Sequence, residues 1–336
     1  MKLNMTVLLL GLGFVSVSSV YAQKAPCPEG KEQECKEQVK PIVFSGYIQP
    51  RWEATIDTAP PLENSFRIRR AYIGASGGFC SWLSYKVVLN LTGNAVSLFD
   101  AYADITPIEY ISLRAGLFAV PIGMEKLASS STILFPERTY ASGSGKFPLI
   151  DRNIGLALTG KLAFLSLQAG VFNGSNILAP SNKDFAARLA VDPWSFLHLG
   201  GSYMVGNLGP DNILTDPYDR YGAELALTPW SLWLAGEFIG GTINDTSSRI
   251  TYYAEAGWLF KLGCPFFYGI QPAVRYEAVD PNTSVADDAE NTITGGINLH
   301  FLSDNKLKLA LCYRMINEEA NAVNNDQIIA QLQVKF

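Results

Sequence analysis

Charge is scarce in this chain. Asp, Glu, Lys and Arg make up 17% of its 336 residues, against roughly 25% in ordinary soluble domains. Histidine is nearly absent. His198 and His300 fall on separate predicted strands, and neither sits in a recognisable catalytic motif. A barrel hydrolase needs a nucleophile, a base and an orienting group within hydrogen-bond reach, so no enzyme activity is expected. The five cysteines and two histidines match no zinc spacing, and the glycines of 206–209 carry no P-loop lysine. No metal or other cofactor is expected. After the N-terminus there is no run of about eighteen apolar residues, which excludes a helical membrane span. A net charge of −5 gives no support to nucleic-acid binding, so no nucleic-acid partner is expected.

The N-terminus has a lysine at position 2, an apolar run over 7–15 and the sequence SSVYA before a cut after Ala22. Residues 1–22 read as a secretory signal peptide, excluded from the fold. Residues 23–42 read as a short charged periplasmic leader carrying Cys27 and Cys35. An exported chain meets an oxidising compartment. Cys80 and Cys264 fall in short turns and are open to pairing with Cys27 and Cys35, while Cys312 reads as a small packing residue within a strand. Sequence does not fix the connectivity.

What the chain has in abundance is period-two alternation. In the last residues, Ile328, Ala330, Leu332, Val334 and Phe336 alternate with Gln327, Ile329, Gln331, Gln333 and Lys335. The pattern recurs in sixteen segments: 43–56, 65–78, 83–92, 96–106, 111–122, 152–161, 164–173, 184–192, 197–207, 218–228, 231–242, 248–260, 268–279, 291–302, 307–317 and 326–336. Short turns such as TPIEY, DPWSF and KLGCPFF alternate with mostly longer polar connections. Trp82, Tyr110, Trp194, Trp230 and Phe266 sit at the short turns, as an interfacial girdle would. The fold class is therefore all-β: a transmembrane antiparallel β-barrel of sixteen strands over 43–336, oily outside and wet inside, in the bacterial outer membrane.

Alternation assigns faces. Tyr85, Val87, Leu89 and Leu91 point to lipid and Lys86 to the lumen. Tyr252, Ala254, Ala256 and Trp258 point out, with Arg249, Thr251 and Glu255 in. Val274 and Tyr276 point out, with Gln271, Arg275 and Glu277 in. Arg67, Arg69 and Arg70 cover both parities, so strand two needs a bulge or a near-surface position. The expected lumenal cations are Arg51, Lys86, Arg114, Arg188, Arg220, Arg249, Arg275, Lys308, Arg314 and Lys335. The expected lumenal anions are Glu53, Asp100, Asp104, Glu224, Glu237, Glu255 and Glu277. The balance is only slightly basic.

The longest connection, 123–151, is the expected constriction loop. Arg138 and Lys146 are its candidate pore-lining cations, with Glu125 and Glu137 as counter-charges. Its apolar residues Ile133, Leu134 and Phe135 need cover. The alternative is an external lid with solvated charges.

FRIRRAYIGASG (66–77), DAYAD (100–104), RAGLFAVPIGME (114–125), FPER (135–138) and DRNIGLALTGKL followed by LQAGVFNG (151–174) resemble, as an ordered series, the phosphate-selective porin O and P family. The resemblance covers strands two to seven; the C-terminal half matches as generic barrel. It implies a sixteen-stranded homotrimeric porin with an inward-folded third loop, and Arg70, Arg114, Arg138 and Arg152 as pore or loop-anchoring residues. Leu117 and Ala119 stand where the family tends to have a polar or basic pair. The expected function is passive diffusion of small ions and hydrophilic solutes across outer-membrane lipid, with at most a weak anion or phosphate preference. The competing reading is a plugged barrel acting as a surface adhesin, which a leader of about twenty residues is too short to plug.

Overall fold

The computed structural model describes residues 40–56, 63–143, 146–174, 183–208, 216–243, 247–320 and 323–336. The expected signal peptide, the leader up to residue 39, Cys27 and Cys35 lie outside the described residues, as do parts of several long connections.

The strands are β1 (Lys40–Ile56), β2 (Glu63–Cys80), β3 (Leu83–Asn90), β4 (Ser97–Ile108), β5 (Ile111–Ala119), β6 (Arg152–Leu162), β7 (Leu165–Phe172) and β8 (Asp184–Trp194). They continue with β9 (Leu197–Leu208), β10 (Asp216–Leu227), β11 (Leu232–Ile243), β12 in two runs (Ser247–Trp258 and Phe260–Cys264), β13 (Phe267–Asp280), β14 (Glu290–His300), β15 (Leu307–Glu318) and β16 (Asp326–Lys335). Both runs of β12 pair with β13 and count as one strand, giving sixteen. The stretch KLGCPFF, expected as a turn, instead prolongs β12 and leaves only residues 265 and 266 at the tip.

Each strand pairs antiparallel with its chain neighbours. The sheet closes through β1 and β16, with Tyr47 opposite Lys335 and Ile56 opposite Asp326. Closure satisfies the backbone groups that lipid cannot, and it leaves no edge. The alternation behaves as expected. In β16, Ile328, Leu332 and Val334 are exposed, while Ile329, Gln331 and Gln333 are buried. In β12, Tyr252 and Trp258 are exposed, while Thr251 and Glu255 are buried. The five girdle aromatics are each at least half exposed.

The β2 arginines are resolved by a bulge. Gln49 pairs with Arg70 and the next residue, Pro50, with Ile68, which leaves Arg69 as the extra residue. Pro50 has no N–H to give the ladder, so the irregularity falls where a bond is already missing.

A charge on the lipid face should be costly. Leu311→Arg, on the exposed side of β15, is expected to lower the unfolding free energy by about 2–4 kcal/mol if it lies near the bilayer midplane. Urea titration in lipid vesicles measures this, and a neutral effect would put Leu311 in water.

Candidate functional site

After β5 the chain leaves the sheet until Arg152. Within this excursion Gly123 has φ 74, a conformation that favours glycine, and caps the one-turn helix α1 (Met124–Leu127). The Glu237 carboxylate of β11 accepts the Met124 and Glu125 backbone N–H groups at 3.1 Å each. A side chain at position 123 would collide with that carboxylate. Glu125 in turn accepts the Thr139 N–H at 2.9 Å, the Thr139 hydroxyl at 2.6 Å and the Ser142 hydroxyl. Arg138 donates to the carbonyls of Glu125 and Ala128 and to the Ser130 hydroxyl. The Glu125 and Arg138 bonds frame the segment internally, and Glu237 ties its start to β11.

Residues 128–139 have no regular structure, so their carbonyls need outside donors. Strand side chains supply them. Gln49 Nε2 donates to Ser130 O at 3.0 Å and Gln333 Nε2 to Ser131 O at 3.0 Å. Lys308 Nζ reaches Ile133 O at 3.2 Å and Asn298 Nδ2 reaches Leu134 O at 2.9 Å. Arg70 donates to Pro136 O and Arg275 to Glu137 O, both at 2.9 Å. Apolar cover completes the attachment. Leu134 and Phe135 pack with Cys312 and Ile329, while Ala141 and Phe147 pack with Ile239, Tyr253 and Val279.

The charges sort into two groups. Arg51, Arg70 and Arg275, expected to line a pore, are buried anchors instead. Arg51 binds Glu53, Glu137 and Gln331. Arg275 binds Glu277 at 2.8 Å, and Arg314 lies 3.7 Å from the same Glu277 and donates to Gln327. Lys146 pairs with Glu290 at 2.5 Å. Glu125 and Glu137 are not counter-charges to Arg138 and Lys146. Glu137 sits between Arg51 and Arg69, the bulged residue, which holds it through two bonds of 3.0 Å. Burial pushes the Glu137 carboxyl up, but the Arg69 hydrogen bond and the Arg51 and Arg69 charges outweigh it, holding it well below the usual carboxylate range. Lys126 is buried, its ammonium has no hydrogen-bond partner among the described residues, and burial brings it down to about 8.

Lys86, Arg114, Arg138, Arg152 and Arg188, with Lys335, line a cavity of about 590 Å³. Strands β1 to β8, the end of β16 and residues 127–132 with Arg138 form its sides. Arg114 forks onto Asp104 at 2.8 and 2.9 Å, and Arg152 reaches Asp100 at 2.7 Å. Arg188 pairs with Glu224 beside His198. Asp100 lines the cavity; Asp104 and Glu224 do not. His300 lies apart, against Gln271. Cys80 and Cys264 stand at the ends of β2 and β12 and carry no disulfide among the described residues. The anchoring amides Gln49 and Asn298 and the aromatics of the cavity escaped the sequence reading. Inward parity was the only signal for most of them, and Phe99 had none, since its parity points to lipid.

Residues 55–213 match the phosphate-selective porin O and P family. No curated protein matches the chain by sequence. Among solved structures, OmpF of Salmonella typhi is similar at TM-score 0.66 and 14% identity, covering 88% of this chain and 97% of its own. An anion-selective porin from Comamonas acidovorans is similar at 0.65 and 12%, covering 88% and 100%. The trimer form of OmpT from Vibrio cholerae is similar at 0.62 and 8%, covering 88% and 99%. At these identities the likeness establishes the fold alone.

Glu137→Gln leaves two guanidinium groups without their carboxylate and is expected to cost about 3–5 kcal/mol of stability. Because the folded carboxyl titrates below the free value of 4.5, its contribution is complete above that pH and is lost as pH falls below it. Unfolding titrations from neutral to acid pH should show the gap between wild type and variant closing toward low pH. A gap that widens there would contradict the assignment.

Proposed function

We propose, for an outer-membrane porin that belongs through residues 55–213 to the phosphate-selective porin O and P family, passive diffusion of small hydrophilic solutes and ions with a weak preference for anions. In this reading residues 1–22 direct export and a periplasmic leader follows, giving way to the barrel at Lys40, where β1 begins, rather than at the expected residue 43. Residues 123–151 fold into the lumen as a constriction, held by the donors of β1, β2 and β13 to β16, and solutes pass along the β1 to β8 wall.

The observation that carries the anion preference is the placement of charge around the cavity. Six cationic side chains line it, and Asp100 is the one side-chain carboxylate that does so among the described residues. The partners of Arg114 and Arg188, Asp104 and Glu224, do not line it. Pairing keeps the arginines in place, and a passing ion meets the guanidinium before the acid. Arg138 and Lys335 have no carboxylate partner among the described residues, which adds net positive charge at the surface of the passage. The screened, mostly paired charges support a weak preference rather than a phosphate trap, since phosphate binds best where arginine forks converge unopposed. A homotrimer is the proposed assembly, in keeping with the trimer form of the Vibrio cholerae protein.

Single channels in planar bilayers test this. Stable ohmic steps are expected, with a reversal potential on the anion side of a salt gradient. Arg138→Glu or Arg114→Glu should lower the anion-to-cation permeability ratio by at least about twofold. No shift with either variant would remove both residues from the conducting surface.

A further inference from the structure

The cavity has a second character that ion diffusion does not require: its β1 to β5 side carries aromatic rings. Tyr47, Tyr72 and Phe99 form a chain of tilted contacts at 5.2 and 4.4 Å, and Tyr102 meets Phe118 edge-on at 6.1 Å. All five line the cavity. Alternation alone would not bring Phe99 there. In β4, Asp100 and Tyr102 share the inward parity, and Phe99 between Leu98 and Asp100 should point to lipid. The β3–β4 register breaks at this point: Val88 pairs with Asp100 and Leu89 with Leu98, so Phe99 is an extra, bulged residue. Bulges re-aim side chains, and this one turns a ring from the lipid side into the passage.

Guanidinium planes lie on these rings. Arg152 sits 3.4 Å above Phe99 and Arg114 sits 3.9 Å above Tyr102. Part of each N–H edge is committed: Arg114 Nε and Nη2 to Asp104, and Arg152 Nε to Asp100 and Nη1 to both Asp151 oxygens at 3.0 Å. With those donors taken, each offers a small oxyanion less than its full set of N–H groups. What they retain is a flat, polarisable face beside half-exposed rings. Cationic groups remain nearby for a single anionic end. Lys86 stays 41% exposed at 3.8 Å from Asp100, and Arg138 has no carboxylate partner among the described residues. The volume of about 590 Å³ is that of a small-molecule site.

We propose that this stretch of the passage is a binding station for planar aromatic carboxylates, with the ring laid against the Phe99–Arg152 and Tyr102–Arg114 stacks and the carboxylate toward Lys86 and Arg138. The proposal rests on the porin reading and names the solute class for which the passage has affinity rather than mere permeability. A saturated ring of the same charge lacks the π-face these stacks present, so the two should separate.

The test uses the full chain in planar bilayers, with benzoate and cyclohexanecarboxylate as probes, both ionised at neutral pH. Benzoate is expected to reduce the ion current at a half-blocking concentration about fivefold lower than cyclohexanecarboxylate. Phe99→Leu should bring the two concentrations together. Arg114→Lys keeps the charge but loses the plane, and should weaken benzoate selectively. Conducting channels that the two acids block equally would overturn this proposal and leave the porin reading intact. Absence of any conductance from the unsubstituted protein would overturn both.

Discussion

The structure depends on one exchange of hydrogen bonds: strand side chains donate to the backbone of the segment between β5 and β6. A closed sheet spends its backbone groups on itself, so it has none left to hold an irregular segment. The carbonyls of residues 130, 131, 133, 134, 136 and 137 are bonded by Gln49, Gln333, Lys308, Asn298, Arg70 and Arg275. These donors come from β1, β2, β13, β14, β15 and β16. A run of unsatisfied carbonyls away from water would be prohibitive. With the donors present, the segment has a defined position, and a cavity of about 590 Å³ remains between residues 127–132 and the wall that runs from the end of β16 through β1 to β8.

Charge follows from that position. Where the segment lies against the wall, charges are buried and carboxylates are met by arginines, as Glu137 is by Arg51 and Arg69 and Glu277 is by Arg275. Where the wall borders the cavity, Arg114, Arg152 and Arg188 are paired and yet stay partly exposed. The same residue type therefore does two jobs, set by which side of the segment it falls on. Arg51 and Arg114 are both inward arginines, yet one is an anchor and the other borders the cavity.

Much of the fold was legible. Sixteen strands, their order and their faces follow from period-two alternation, since a residue facing lipid and its neighbour facing water cannot exchange roles without large cost. The family resemblance over strands two to seven was legible for a different reason: ordered motifs such as RAGLFAVPIGME persist where composition alone would not distinguish one barrel from another. The bulge at Arg69 was legible as a conflict of parity. The bulge at Phe99 was not, because a phenylalanine on the lipid face raises no conflict. The pairing of charges was also hidden. Glu137 meets residues 86 and 68 positions away, and no local rule prefers Arg51 over the adjacent Arg138. Turn KLGCPFF was misread because its glycine and proline resemble a loop, while paired backbone carries β12 through it.

The most direct test of the account is which wall borders water. In a chain with its native cysteines replaced by serine, a single cysteine is placed at Gln168, which lines the cavity, or at Thr292, which is fully buried and touches Tyr140 of the segment. Bilayer current is recorded while a charged thiol reagent is added. A stepwise drop in conductance is expected for cysteine at 168 and none for cysteine at 292. Equal reaction at both positions, or reaction at 292 alone, would contradict it.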